Sequence, residues 1–172
     1  MFRLRPLPAV CAFAVVALGS SIGPRALSAH RTSGASAPTD ACTLLTVDEV
    51  SAALEVKSMP GRHPSPTFTA SCLWTDDTAV VISHRRVTLS IISTQAFDIA
   101  KRSPVLTVTP VTGIGDDAYY EMFKSESPAL NVRKGSVAFT IRILNGLKFK
   151  PFTIDQEKAK EAALGQAAAK AL

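Results

Sequence analysis

Two cysteines, Cys42 and Cys72, constrain the fold of this chain more than any other pair of residues. Cys72 belongs to the stretch SCLWTDD at 71–77, two positions before the only tryptophan, Trp74. Side chains two residues apart on a strand point to the same face of a sheet, so Cys72 and Trp74 are expected to share one interior. The Cys72 sulfur could serve a metal site, act as a nucleophile or bond to a second cysteine. A bond to Cys42 would tie the start of the domain to this strand.

The first 29 residues have the pattern of a secretory signal. Arg3 and Arg5 give a basic start, the apolar run LPAVCAFAVVALGSSI follows, and the small residues of RALSAH suit a signal peptidase. The run is short and Gly19 interrupts it, so it is poorly suited to span a membrane. We expect residues 1–29 to be removed on export into the periplasm or the medium. An uncleaved N-terminal anchor is the alternative.

Export also explains the cysteine count. Cys11 lies inside the apolar run and would leave with it, and Val10 stands where lipid attachment needs a small residue, so we expect no lipidation. The remaining even pair in an exported protein indicates a disulfide between Cys42 and Cys72. A zinc site needs about four ligands at short spacings, and the sequence contains neither C-x-x-C nor H-x-H. Closing this loop would stabilise the domain by ~3–4 kcal/mol.

The charge of the exported part excludes one class of partner. Removal of residues 1–29 takes away Arg3, Arg5 and Arg25 and no acidic residue, so the formal net charge falls from +5 to +2. A domain with so small a charge, and with both signs interspersed, lacks the basic surface that nucleic-acid binding needs. A ligand or protein of the cell envelope remains as the expected partner.

The folded domain is expected at residues 41–172. Residues 30–40, HRTSGASAPTD, are small and polar and predict a flexible leader. Thr46 followed by Glu49 forms a capping box, and an apolar helical stripe begins at Val50. The sequence therefore predicts a short helix immediately after Cys42.

Strand patterns dominate the rest of the domain. The cleanest is the alternation of apolar residues from Val137 to Ile143. Further strands are expected around 71–74, 79–93, 118–123 and 130–132, and, after the turn NG, at 147–152; further helices are expected at 94–102 and 155–172. Short turns favour antiparallel pairing. We therefore predict an α+β two-layer sandwich, with a mainly antiparallel sheet, helices on one face and one disulfide.

The sequence carries no catalytic signature. The glycines of GIGDD, Gly113 and Gly115, precede a strand rather than a helix, so they predict turns and not a phosphate loop, and the further oxygen ligands of a calcium loop are missing. His63 and His84 have no G-x-S-x-G element to support a serine hydrolase, and we expect both on the solvated surface. The prediction is a protein that is not an enzyme and has no cofactor and no metal site.

Five residues are candidates for a binding surface. Arg85 and Arg86 are adjacent cations beside a predicted strand, and Tyr119 and Tyr120 are adjacent on another, so that one tyrosine points away from the core. Together with Trp74 they predict an open sheet face with a basic turn. The alternative for the tyrosines is cover by a loop or an edge, and for the arginines an ordinary charged surface.

Several stretches together resemble a known family. DACTLLTVDEVSAAL at 40–54 is similar to the DPC-x-LLT-x-x-E-V-x-x-AL opening of small secreted proteins and lipoproteins of actinobacteria, a family of unknown function. The C-x-W at 72–74, GIGDDAYY at 113–120, LNVRKGSVAFTI at 130–141 and the closing alanine-rich helix resemble it in the same order. The resemblance implies paired cysteines and a mixed α/β fold. It implies no catalytic residue, and the lipid-attachment cysteine of many relatives is missing.

These observations predict an exported, non-catalytic binding or interaction domain of the cell envelope or extracellular space. The alternative is a carrier or sensor for a small hydrophobic or anionic envelope molecule, held between the helices and the sheet at Val87, Leu89, Phe139 and Ile141. An exported hydrolase that uses His63 or His84 is a third hypothesis. The sequence does not identify the ligand, the partner or the oligomeric state.

Overall fold

The computed structural model describes Pro38 and residues 40–76, 84–124, 126–147 and 149–172. The predicted signal at residues 1–29 and nearly all of the predicted leader at residues 30–40 lie outside these ranges.

Three helices and six strands make up the described part of the chain. The helices are α1 (Val47–Leu54), α2 (Thr94–Lys101) and α3 (Ile154–Lys170), and a 3-10 turn (Ala41–Thr43) precedes α1. The strands are β1 (Ser71–Thr75), β2 (Arg86–Ile92), β3 (Thr107–Val111), β4 (Asp117–Met122), β5 (Ala129–Lys134) and β6 (Val137–Leu144). The predicted capping box of Thr46 and Glu49 starts α1, and Thr153 and Gln156 form a second one at α3.

The strands form one antiparallel sheet in the order β1-β2-β6-β5-β4-β3. Strands β3 to β6 follow one another as a meander, whereas β2 lies in the centre against the last strand, β6. The predicted α+β fold with an antiparallel sheet is confirmed.

The main core lies between one face of the sheet and the helices α1 and α3. Alternate residues of β6 (Phe139, Ile141 and Ile143) point into it and are fully buried. Trp74 and Cys72 share the same core, as the spacing of two residues on β1 predicts. Cys42 and Cys72 form the predicted disulfide, with Cα atoms 5.0 Å apart, so the segment before α1 is tied to β1.

Helix α2 lies on the opposite face of the sheet. Its Phe97 is fully buried against Tyr119 of β4 and Ala138 of β6. The prediction of helices on one face therefore holds for α1 and α3 but not for α2. The physical reason is that β4 and β6 carry apolar side chains on both faces at these positions, and the second face needs its own cover.

Two segments differ from the sequence-based expectation. Residues 107–111 form an edge strand, β3, although they were expected in a loop; Pro110 fits there because an edge position needs no ladder hydrogen bond from proline. The extra strand expected at 147–152 is not formed by its described residues. Instead, Asn145 closes a loop by accepting a hydrogen bond from the main chain of Phe152 at 3.1 Å.

Candidate functional site

The five residues expected to form a binding surface do not share one. Trp74 is 1% exposed and lies in the main core. Tyr120 faces the same core, where its hydroxyl donates to the main-chain carbonyl of Lys158 on α3. Tyr119 points to the opposite face and is fully buried there. None of these three rings is available on the surface of the described chain.

Tyr119 is covered by α2 rather than open to solvent. Its hydroxyl donates to the main-chain carbonyl of Phe97 at 2.8 Å, and the two rings meet edge to face with centroids 4.8 Å apart. Burial raises the pKa of the Tyr119 hydroxyl well above its ordinary value, so it stays protonated as the donor of this bond. The residue fastens α2 to the sheet and offers no surface for a ligand.

Arg85 and Arg86 point to opposite faces of the sheet. Side chains alternate along a strand, and Arg85 reaches the helices that cover one face while Arg86 is half-buried on the other. Arg85 is 7% exposed, which is unusual for an arginine. The two arginines therefore do not form a single basic patch. Of the two, Arg85 is the buried one, and it also lines a surface pocket.

The Arg85 guanidinium is held by main-chain carbonyls and aromatic rings. Its Nη1 donates to the carbonyl of Leu54 at the end of α1 at 2.9 Å, and its Nη2 donates to the carbonyl of Lys150 at 2.8 Å. The Phe149 and Phe152 ring centroids lie 4.6 and 4.0 Å from its Cζ, within the range of cation–π attraction. These contacts fix the orientation of the guanidinium.

Within the described part of the chain, Arg85 has a counter-charge only at longer range: its attraction to Glu55 is the last of the causes that shift the pKa of that carboxyl, and it lowers that pKa. No ion pair among the described residues joins Arg85 to a carboxylate, and its buried Nε–H has no hydrogen-bond acceptor among them. Carbonyl dipoles and aromatic rings stabilise a buried cation only in part, since a full counter-charge is absent. Arg85 is therefore equipped to attract an anion.

A pocket of about 250 Å³ opens onto Arg85. It lies where the end of α1, the start of β2 and the first turn of α3 meet, and we call it the Arg85 pocket; its described lining is Glu55, Arg85, Lys150, Pro151, Phe152, Thr153 and Gln156. Phe152 and Pro151 give it an apolar wall. The volume suits a small organic group rather than a large ligand.

The electrostatics of the Arg85 pocket favour negative charge. Arg85 and Lys150 supply two cations. The N-terminal turn of α3 adds the positive end of the helix dipole, which Asp155 and Glu157 in the same turn offset in part. Glu55 is the one acidic side chain among the described lining residues. It is already paired with Lys160 at 2.7 Å, and the hydrogen bond from this ammonium group lowers the pKa of Glu55.

An apolar groove runs beside the pocket between α1 and α3. Methyl groups dominate its lining, and Glu49 of α1 adds one carboxylate. The volume is about 390 Å³, and the apolar lining residues are Ala52 and Ala53 on α1 and Ala159, Ala163, Leu164 and Ala167 on α3. We call it the α1–α3 groove. Lys160 lines the groove and Glu55 lines the pocket, so their ion pair marks the boundary between the two.

The two histidines are not free on the surface, in contrast to the expectation. His84 Nδ1 lies within hydrogen-bond distance of the buried Asp76 carboxylate, whose second oxygen accepts the main-chain N–H of Arg85 at 3.2 Å. His63 Nδ1 lies 2.9 Å from the carbonyl of Ser71. Both rings are partly buried, and these contacts hold the segments that carry them against β1 and the start of β2.

One side-chain group among the described residues has metal-ligand composition. Asp40, Cys42 and His63 offer a carboxylate oxygen, a sulfur and a ring nitrogen that lie within 4.8 Å of one another. The Cys42 sulfur, however, is bonded to Cys72, and zinc binds the thiolate form of cysteine. Two ligands remain in the oxidised chain, fewer than a zinc site needs.

Comparison of the chain with protein-family profiles, with curated proteins and with solved structures finds no match in any of the three. Among the described residues, no helix has the length and apolar character needed to cross a membrane. In the described chain, the Arg85 pocket combines a buried cation, a second basic side chain and an apolar wall.

Proposed function

We propose that this chain is an exported, non-catalytic binding domain whose ligand carries an anionic group held in the Arg85 pocket. One observation carries the proposal: a guanidinium that is 7% exposed lines a surface pocket and is paired with no carboxylate among the described residues. Burying a cation without a counter-charge costs free energy. An anion supplied by a ligand would offset that cost, which gives the pocket a physical reason to bind one.

Export and membership of the actinobacterial secreted family are parts of the same proposal. Export is supported by the pattern of residues 1–29 and by the disulfide, since disulfides persist in oxidising compartments. The family is supported by the motifs of the sequence. Neither bears on which anionic molecule is bound.

The packing of the core supports an anionic ligand over a purely hydrophobic one. Val87, Leu89, Phe139 and Ile141 are each 0% exposed and pack together in the main core, and none of them lines the Arg85 pocket or the α1–α3 groove. A molecule held between the helices and the sheet would have to displace these side chains. A ligand at the Arg85 pocket displaces none of them.

The test begins with protein purified from an exporting host without reductant. Its native mass spectrum should show an extra mass, lost on denaturation, when an anionic ligand is retained. In ¹⁵N-labelled protein freed of ligand, titration with sodium acetate and with inorganic phosphate should shift the Arg85 Nε–H resonance, since this donor has no acceptor among the described residues.

Matched variants locate the binding. Glu55→Gln removes the acidic side chain of the pocket and should tighten anion binding by about two- to fivefold, and Lys150→Gln should weaken it by a similar factor. Arg85→Lys removes the planar donor fork and should weaken binding further. Arg86→Lys, its neighbour on the other face, should change nothing. Equal effects of the Arg85 and Arg86 variants, or an Arg85 Nε–H resonance that neither anion shifts, would overturn the proposal.

A further inference from the structure

The α1–α3 groove continues the Arg85 pocket along the same two helices. On α3, Thr153 and Gln156 line the pocket, Lys160 marks the boundary, and Ala163 and Ala167 line the groove. These positions recur every three or four residues, so they form one stripe along the helix. From Thr153 to Ala167 the stripe is about 21 Å long at 1.5 Å per residue.

The polarity of this stripe changes sharply along its length. The end at Arg85 and Lys150 is cationic, whereas the remainder is lined mostly by methyl groups from α1 and α3, with Glu49 as the one acidic residue of its described lining. Arg85 is the independent sign that a ligand belongs here, because it is 7% exposed, lines the pocket and forms no ion pair with a carboxylate of the described residues. A ligand that matches both parts has one anionic end and one long apolar end.

We propose that the ligand is a single-chain amphiphile: a carboxylate in the Arg85 pocket carries an unbranched alkyl chain that lies in the α1–α3 groove. This inference rests on the proposed function and adds the class of molecule. A single chain fits because the groove is one stripe wide and bounded by two helices. Alanine side chains leave room beside the helix backbones that larger residues would fill.

The ion pair at the boundary does not prevent this arrangement. Glu55 is 59% exposed and is held to Lys160 by one contact of 2.7 Å. Lys160 is only 16% exposed and packs over the Phe152 ring, so its ammonium group stays in place when the exposed Glu55 side chain turns into solvent and the ligand carboxylate takes its position. The alkyl chain then follows α3 past Ala163; the carboxylate of Glu49, which also lines the groove, is engaged by hydrogen bonds from the main chain and the hydroxyl of Thr46.

The test is a chain-length series. Isothermal titration of the exported protein with alkyl carboxylates from butanoate to dodecanoate, below their micelle concentrations, should show affinity rising by about twofold per methylene, roughly half the effect of complete burial in this open groove. Ala163→Asp, which places a charge on the groove wall, should abolish the rise and leave butanoate binding intact. Gln166→Asp, at an exposed position of α3 that does not line the groove, is the control and should keep the rise.

The outcomes separate this inference from the proposed function. If butanoate binds and longer carboxylates bind no tighter, the alkyl chain is not recognised and this inference fails while the proposed function stands. If dodecanol or dodecyltrimethylammonium binds as tightly as dodecanoate, and Lys150→Gln has no effect on any ligand, both fail. If the protein is a dimer that Ala163→Asp dissociates, a second copy of the chain occupies the groove and this inference is overturned.

Discussion

The carboxyl group of Glu161 on α3 accepts a hydrogen bond from the main-chain N–H of Ile143 on β6 at 2.9 Å. The pairing of β5 with β6 ends at Ile141, so this N–H lies beyond the last strand partner on that side. The Glu161 side chain of α3 thus supplies the acceptor that a neighbouring strand would otherwise provide for this N–H. The arrangement places a carboxyl group with 0% exposure inside the domain.

Burial of Glu161 should make the stability of the domain depend on pH. Burial is the main cause that raises the pKa of Glu161 to about 9; Glu157 on the same helix raises it further, and Arg142 of β6 lowers it. Tyr120 of β4 also faces Glu161. The native state therefore keeps this proton at pH values where the unfolded chain, with a pKa of 4.5, has lost it.

The contribution of Glu161 to the free energy of unfolding should therefore be largest below about pH 4.5 and fall as the pH rises towards 9, with a slope of up to about 1.4 kcal/mol per pH unit. Glu161→Gln, which cannot ionise, should flatten this slope. The measurement is urea unfolding between pH 5 and pH 9. The exposed Glu126→Gln is the control and should keep the wild-type slope; parallel profiles for Glu161→Gln and wild type would contradict the prediction.

Loss of the disulfide should destabilise the domain by ~3–4 kcal/mol, because the bridge closes a loop with a sequence separation of 30. The double variant Cys42→Ser, Cys72→Ser tests this by denaturant unfolding, with and without a reductant. Reductant should lower the stability of the wild type towards that of the variant and leave the variant unchanged. A variant as stable as the oxidised wild type would show that the bridge does not stabilise the fold.

Gly165 should not tolerate alanine, although alanine is usually the better helix former. A Cβ atom at Gly165 would lie 2.5 Å from the Cδ2 atom of Leu130 on β5, so either the leucine or α3 must move. We expect Gly165→Ala to destabilise the domain by about 1–3 kcal/mol. Gln166→Ala, at the next and exposed position, should be near neutral in the same thermal unfolding experiment. A stabilised Gly165→Ala would mean that α3 approaches β5 less closely.

Tyr119→Phe should loosen α2 selectively. The change removes the hydroxyl that donates to the carbonyl of Phe97 at 2.8 Å but keeps the ring, so a loss of about 1 kcal/mol is expected. Hydrogen exchange should then quicken in the amides of α2 and much less in those of α3. Uniform acceleration in both helices would indicate general destabilisation instead.

The elements that could be predicted from the sequence are those fixed by local contacts. The start of α1 follows from the reciprocal bonds of Thr46 and Glu49, and the course of β6 follows from a strict alternation between Val137 and Ile143. Strand β3 was missed because Pro110 and its threonine-rich surroundings weaken the strand pattern. An edge strand with one partner tolerates such residues, and its pairing with β4 is not visible in the strand itself.

The candidate site was predicted only in part, because its partners are distant in sequence. Arg85 was among the candidate residues, but its environment was not predicted, because the carbonyls that hold it belong to residues 31 and 65 positions away. The sequence left open which of Tyr119 and Tyr120 points away from the main core and whether that ring is covered. It is Tyr119, and α2 covers it. A short helix with one large buried apolar residue, Phe97, gives no sequence signal for the face of the sheet on which it packs.

The bridge between the 3-10 turn and β1 also determines how the domain responds to a mechanical pull. Tension applied to the chain before Cys42 passes through the sulfur–sulfur bond directly into β1. Residues 43–71, which include α1, are therefore shielded from extension while the bond is intact. A force on the N-terminal side is therefore carried from β1 into the sheet by its five residue pairs with β2.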